Sequence, residues 1–141
     1  SFKVTSYGMC ADCHDSADNA ERFAAFLRKI VTDQMAGVKA NLDRWATLKA
    51  PAQIQKYGTL AWEYDNAGIF SNPAGLSTIR GPRSDTDPAK DEQKYVPANI
   101  KKARYNLYLV LHDGSYGIHN GPQALRLLNA AQKWIQAELY E

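Results

Sequence analysis

The sequence predicts an all-α fold, and three observations carry that expectation. Apolar residues recur at three- and four-residue spacing over long stretches, no segment alternates in the manner of a strand, and Pro and Gly gather between the periodic stretches. The 141 residues are read as one domain over 1–141, or one piece of a larger protein, and suffice to bury a core.

The first element is a long helix over 18–48, in which Phe23, Phe26, Leu27, Ile30, Val31, Val38, Leu42 and Trp45 share one face. Asp18 and Glu21 have the spacing of a capping box, and Pro51 closes the far end. At 1.5 Å per residue such a helix is about 45 Å long, so it requires a partner beside it to bury its stripe. A second helix is expected over 51–66, where good helix formers surround Tyr57, Trp62 and Tyr64. Residues 68–97 carry Pro73, Pro82, Pro88 and Pro97 with Gly68, Gly75 and Gly81 and the mixed charge run 83–94, which reads as a long irregular connection.

Pro97 suits the first turn of a further helix with Ile100, Ala103, Leu107, Val110 and Leu111 on one face and Gly114 as its stop. After the turn 113–117, Asn120 is placed to cap a last helix whose face is Ala124, Leu128, Ala131, Ile135 and Leu139. The expected architecture is a helical bundle in which the long N-terminal helix packs against the C-terminal helix pair.

Composition excludes several classes of function. Seventeen Lys plus Arg against fifteen Asp plus Glu leave a formal charge of +2, which gives no electrostatic case for nucleic acid or an anionic membrane surface. The composition, 45% hydrophobic and 23% charged, is that of a soluble globular domain, with no apolar run near the roughly 18 residues of a membrane-spanning helix. Residues 1–8 lack the basic-then-apolar order of a signal peptide, and the chain has no internal repeat.

The two cysteines, Cys10 and Cys13, stand too close together to staple distant elements, so local chemistry must explain them. With Ala11, Asp12 and His14 they spell C-x-x-C-H, the attachment signature of haem c. Two thiols at this spacing each add across a vinyl group of one porphyrin. The next residue, His14, then lies under the iron as proximal ligand, and one covalently attached haem per chain follows. A zinc site built from Cys10, Cys13, His112 and His119 is the competing reading, but six residues separate those histidines where zinc patterns place three to five. A redox dithiol would want a βαβ context that is missing.

The sixth position on the iron decides between electron transfer and ligand chemistry. Its candidates are His112, His119, Met9 and Met35. Met9 directly precedes Cys10 and is badly placed for the opposite face of the porphyrin, and Met35 falls mid-helix, where a core role is expected. His119 lies in a turn between Gly117 and Gly121, where glycine frees the backbone to bring an imidazole close to a flat ligand. His112 ends a helix, where an imidazole complements the dipole. We therefore expect His119 as the distal ligand, with His112 as an alternative or as a ligand to a neighbouring chain.

The stretch from Lys102, Ala103, Arg104, Tyr105 and Asn106 through Val110 and Leu111, then Asp113 to Asn120 and on through Ala124, Leu125 and Ala131, resembles the C-terminal helical region of multihaem c-type cytochromes. That group includes the relatives of nitrite reductase and hydroxylamine oxidoreductase. The resemblance covers roughly a fifth of the chain besides the haem motif. It implies His119, in its glycine-histidine-asparagine-like turn, as distal ligand and His14 as proximal ligand. This chain carries one C-x-x-C-H where such proteins carry several, and Gly121 stands between Asn120 and Pro122.

The expectation is a monohaem cytochrome for outer-sphere electron transfer and not an enzyme, with redox proteins as donors and acceptors and with further copies or other cytochrome subunits beside it. Covalent haem attachment places it in the periplasm or outside the cell. The alternative is a haem-based sensor or gas-binding module whose sixth position is open or displaceable.

Overall fold

In the computed structural model the described residues are 17–64, 88, 90–113 and 120–140. They form three α-helices, α1 (Ala17–Leu48), α2 (Ala98–Asp113) and α3 (Gly121–Tyr140), with 3₁₀ segments at Gln55–Leu60 and Lys90–Tyr95. No strand occurs among the described residues, and the all-α class holds. None of these helices is long and apolar enough to cross a membrane.

α1 begins one residue earlier than the capping-box reading places it. Asp18 accordingly sits inside the first turn, where its carboxylate faces the positive end of the helix dipole. Its buried stripe runs Ala20, Ala24, Val31, Met35, Val38, Leu42, Trp45 and Ala46. Phe23 and Phe26, expected on that face, are 47% and 61% exposed. The reason is angular: at 100° per residue both fall to one side of the line through Ala20, Ala24 and Val31. Met35 is fully buried, as its core reading requires, and burial of each such large side chain contributes about 1.5–3 kcal/mol.

The helix expected over 51–66 is not an α-helix. Turns close from Ile54 N–H to Pro51 O, Tyr57 to Ile54, Ala61 to Gly58 and Glu63 to Leu60, all at i to i+3. Gly58, at φ 59° and ψ −131°, interrupts any continuous ladder in a conformation that only glycine adopts cheaply. The apolar side chains of this segment are still used, since Ile54, Ala61 and Trp62 are buried against α1 and α2.

Every residue of the faces expected on α2 and α3 is buried. The first bond of α2 runs from Lys101 N–H to Pro97 O and that of α3 from Ala124 N–H to Asn120 O, so Pro97 and Asn120 stand at the two N-terminal boundaries. Gly114, the expected stop of α2, lies outside the described residues.

Cross-helix contacts fix the directions. Asn106 Nδ2 donates to Leu127 O at 2.9 Å and the Lys102 ammonium lies 4.7 Å from the Trp134 ring centroid, so α2 and α3 form an antiparallel hairpin. Along α1, Leu27 lies against Gly121, Asn41 Nδ2 donates to Gln132 Oε1 at 2.7 Å, and Arg44 lies 5.8 Å over Tyr140. α1 and α3 are therefore parallel. Gly37 lets them approach, because a Cβ there would lie only 3.3 Å from Gln132 Nε2. The bundle of α1 against the C-terminal pair is the arrangement the sequence predicts.

Candidate functional site

Both directions bring particular residues to one end of the bundle. There α2 ends at His112 and Asp113, α3 starts after Asn120, and α1 passes at Leu27. The ten residues Ala17–Phe26 run on beyond the start of α3, about 15 Å at 1.5 Å per residue. On this overhang Ala20 and Ala24 stay buried while Phe23 and Phe26 are exposed.

A cavity of about 390 Å³ opens at the same end between α2 and α3. Leu109, Val110, Ala124 and Leu127 give it apolar walls, and His112, Asp113, Asn120 and Gln123 give it a polar rim. Its size is that of a small-molecule or cofactor site, which is typically an apolar concavity with a few polar groups. His112 is exposed, and its ring stands edge-on to Tyr108 at 6.2 Å between centroids and 85° between planes.

Cys10, Cys13, His14 and His119 lie outside the described residues, as does Met9. In the sequence His14 stands three residues before Ala17, and His119 directly precedes Asn120. Among the described residues no three His, Cys, Asp or Glu side chains form a metal-binding group. The zinc set shares all but His112 with positions outside the described residues.

A buried polar network that the sequence reading missed joins α2 to α1 and to the segments around Glu63 and Gln93. Arg104 Nη1 donates to Trp62 O at 2.8 Å and Glu63 O at 2.7 Å, and Nη2 donates to Gln93 Oε1 at 2.7 Å. Gln93 Nε2 in turn donates to Glu63 O at 3.0 Å and Pro88 O at 3.1 Å. Residues 62–64 and Pro88, which flank the span 65–87, are thereby fastened to α2 and to each other. The Tyr108 hydroxyl donates to the buried Glu63 carboxylate, 2.7 and 2.8 Å from its two oxygens. Trp62 Nε1 donates to Asp43 Oδ1 at 2.8 Å, and Asp43 also pairs with Lys39. The only signal for this network in the sequence is Arg104 lying next to Ala103 and one turn before Leu107 and Tyr108, on the inward side of α2.

Burial pushes the Tyr64 phenol above its usual range, and the Arg104 guanidinium 4.1 Å from its ring centroid opposes that shift. Burial lowers Arg104, against the pull of Tyr64 and Glu63. Tyr57 is raised by its hydrogen bond to Glu92 and then by burial, and exposed Lys56 is raised by its hydrogen bond and charge pairing with the same carboxylate. In all three raised groups the folded state holds its proton more tightly than the unfolded chain. Their stabilisation is thus complete below about pH 10 and is lost as pH rises through the folded pKa values. We expect the melting temperature to fall above pH 10 and the fall to be shallower in Tyr57→Phe/Tyr64→Phe. Equal slopes for parent and double variant in melts from pH 8 to 11 would show that these phenols do not govern it.

Comparison of the chain with protein-family models, with curated proteins and with solved structures finds no match.

Proposed function

We propose that this chain is a monohaem c-type cytochrome that transfers electrons through a bis-histidine haem, with Cys10 and Cys13 as attachment points, His14 as proximal and His119 as distal ligand. The observation that supports the reading is topological. The entry into α1, three residues after His14, and Asn120, directly after His119 and one residue before α3, belong to the same end of the bundle, and an apolar cavity with a polar rim opens between α2 and α3 at that end.

The cavity fits the group in chemical kind. Leu109, Val110, Ala124 and Leu127 suit an apolar macrocycle, and of the rim His112, Asn120 and Gln123 offer hydrogen-bonding groups to propionates while the Asp113 carboxylate does not. When bound, the haem supplies a one-electron iron couple. The residues of the chain hold and orient it, and Asn120, fixed at the N-terminal boundary of α3, anchors the backbone on one side of His119. With both axial positions filled by imidazole no open site is left for substrate, which favours electron exchange over catalysis, and the absence of a thioether ligand favours a lower potential. Partners on this reading are redox proteins and further copies or cytochrome subunits, in the periplasm or outside the cell.

The test is electron paramagnetic resonance of the oxidised protein, with visible spectra of the reduced protein under carbon monoxide. We expect a low-spin ferric signal of two imidazoles and no carbon monoxide adduct. A high-spin signal or ready carbon monoxide binding would overturn the bis-histidine assignment and favour a sensor or gas-binding module.

A further inference from the structure

We infer that Tyr108 is a redox-active tyrosine, a buried phenol placed to give one electron to an outer-sphere one-electron oxidant while its proton passes to Glu63. The inference stands on the network around Glu63 and is independent of the cytochrome reading.

Loss of an electron makes a phenol a far stronger acid, so a tyrosine in a protein interior is readily oxidised only where a base already holds its hydroxyl proton. Tyr108 meets that condition. It is 5% exposed, the Glu63 side chain beside it belongs to a residue 1% exposed, and its hydroxyl lies 2.7 and 2.8 Å from the two carboxylate oxygens. The Arg104 guanidinium, whose Nη1 donates to Glu63 O at 2.7 Å, favours the ionised carboxylate, which is the form able to take the proton. In the step itself the Tyr108 O–H bond breaks, the proton bonds to a Glu63 oxygen and the electron leaves to the oxidant. The products are a neutral phenoxyl radical, a neutral carboxylic acid and the oxidant reduced by one electron.

The neighbouring rings carry the electron onward. The Trp62 and Tyr64 ring centroids lie 6.3 and 5.4 Å from that of Tyr108, within one tunnelling step. Trp62 repeats the arrangement of Tyr108, because its Nε1–H donates at 2.8 Å to the Asp43 carboxylate, an acceptor for the proton of an oxidised indole. Tyr64 is set apart by Arg104, 4.1 Å from its ring centroid, which opposes positive charge there. The oxidising equivalent therefore passes through Trp62 and rests on Tyr108. Packing alone does not call for this arrangement. Phenylalanine at 108 and an apolar side chain at 63 would fill the same space without the desolvation cost of a buried carboxylate.

The experiment oxidises the protein as isolated with photogenerated tris(bipyridine)ruthenium(III), freezes samples at successive times and records electron paramagnetic resonance of organic radicals, with ordinary and with ring-deuterated tyrosine. A persistent radical whose hyperfine splitting collapses on deuteration is expected. Radicals on Tyr105 and Tyr140, 58% and 64% exposed, meet one another and decay by coupling, so persistence marks the buried ring. Tyr64→Phe should keep the persistent signal. Tyr108→Phe should lose it and leave an indolyl radical on Trp62. Glu63→Gln, which keeps a hydrogen-bond acceptor and removes the base, should form the tyrosyl radical on the order of 100-fold more slowly.

A persistent tyrosyl signal in Tyr108→Phe would overturn the assignment to Tyr108. Formation at the parent's rate in Glu63→Gln would overturn the part given to Glu63. A parent protein that reduces the ruthenium complex without a persistent tyrosyl signal would overturn the inference outright. If Tyr108→Phe does not fold around the carboxylate it leaves unpaired, the Glu63→Gln rate in deuterated protein decides, since Tyr108 is the phenol that donates to that carboxylate.

Discussion

Arg104→Met is expected to destabilise the fold by about 3–5 kcal/mol, the cost typical of breaking a buried charged network from one side. Replacing a whole buried ion pair by apolar side chains is often harmless, but that route is closed here. Two of the groups that Arg104 serves are the backbone carbonyls of Trp62 and Glu63, which no substitution removes. Methionine would leave Trp62 O and the half-buried Gln93 Oε1 without the donor that Arg104 supplies, at about 1–3 kcal/mol for each unsatisfied group, while Glu63 O would keep only its bond from Gln93 Nε2. Part of that sum is offset because Arg104 already carries a buried Nε with no hydrogen-bond partner among the described residues, a cost that leaves with it. Thermal melting should register a fall on the order of 10–20 °C. Lysine should recover little of it, since a point charge cannot span three acceptors and lie flat on Tyr64. A loss below about 1 kcal/mol in Arg104→Met would mean that the segments around Glu63 and Gln93 are held by other contacts.

The same residue marks the boundary of what the sequence makes legible. Helical periodicity located α1, α2 and α3 to within a residue or two, because each buries a stripe whose spacing is imposed by the helix itself. It failed where tertiary contacts outrank local preference. The 51–66 segment has the composition of a helix, yet Gly58 turns it and Trp62 is drawn to Asp43 across the bundle. Phe23 and Phe26 are as apolar as the residues that are buried, and only their angle on α1 sets them outside. Arg104 and Glu63 could not be paired from sequence, since they are far apart in the chain and a buried guanidinium has no periodic signature. The candidate site divides likewise. C-x-x-C-H is legible because the chemistry fixes a five-residue spacing, whereas the cavity beside His112 exists only once α2 and α3 are antiparallel.

On the proposed cytochrome reading, Cys10→Ser with Cys13→Ser should abolish covalent haem attachment altogether, because neither thioether bond could form. A pyridine haemochrome assay on the denatured, extracted chain should detect no haem. The consequence for the fold should be local. The contiguous core on α1 begins at Val31 and continues through Met35, Val38, Leu42 and Trp45 against Leu107, Leu128 and Ile135, all below the end of the bundle proposed for the haem. The ten residues of α1 beyond the start of α3 contribute only two small buried side chains, Ala20 and Ala24. At about 0.8 kcal/mol per buried methyl-sized group, they are weak support for three turns of helix without the haem beside them. Native-state hydrogen exchange should therefore lose protection over 17–27 while residues 31–48, α2 and α3 keep theirs. Haem that survives extraction from the double variant would show that the thiols are not its attachment points. Loss of protection throughout the chain would show that the bundle depends on the haem for more than one end, and would move the haem from an appendage of the helices to part of their core.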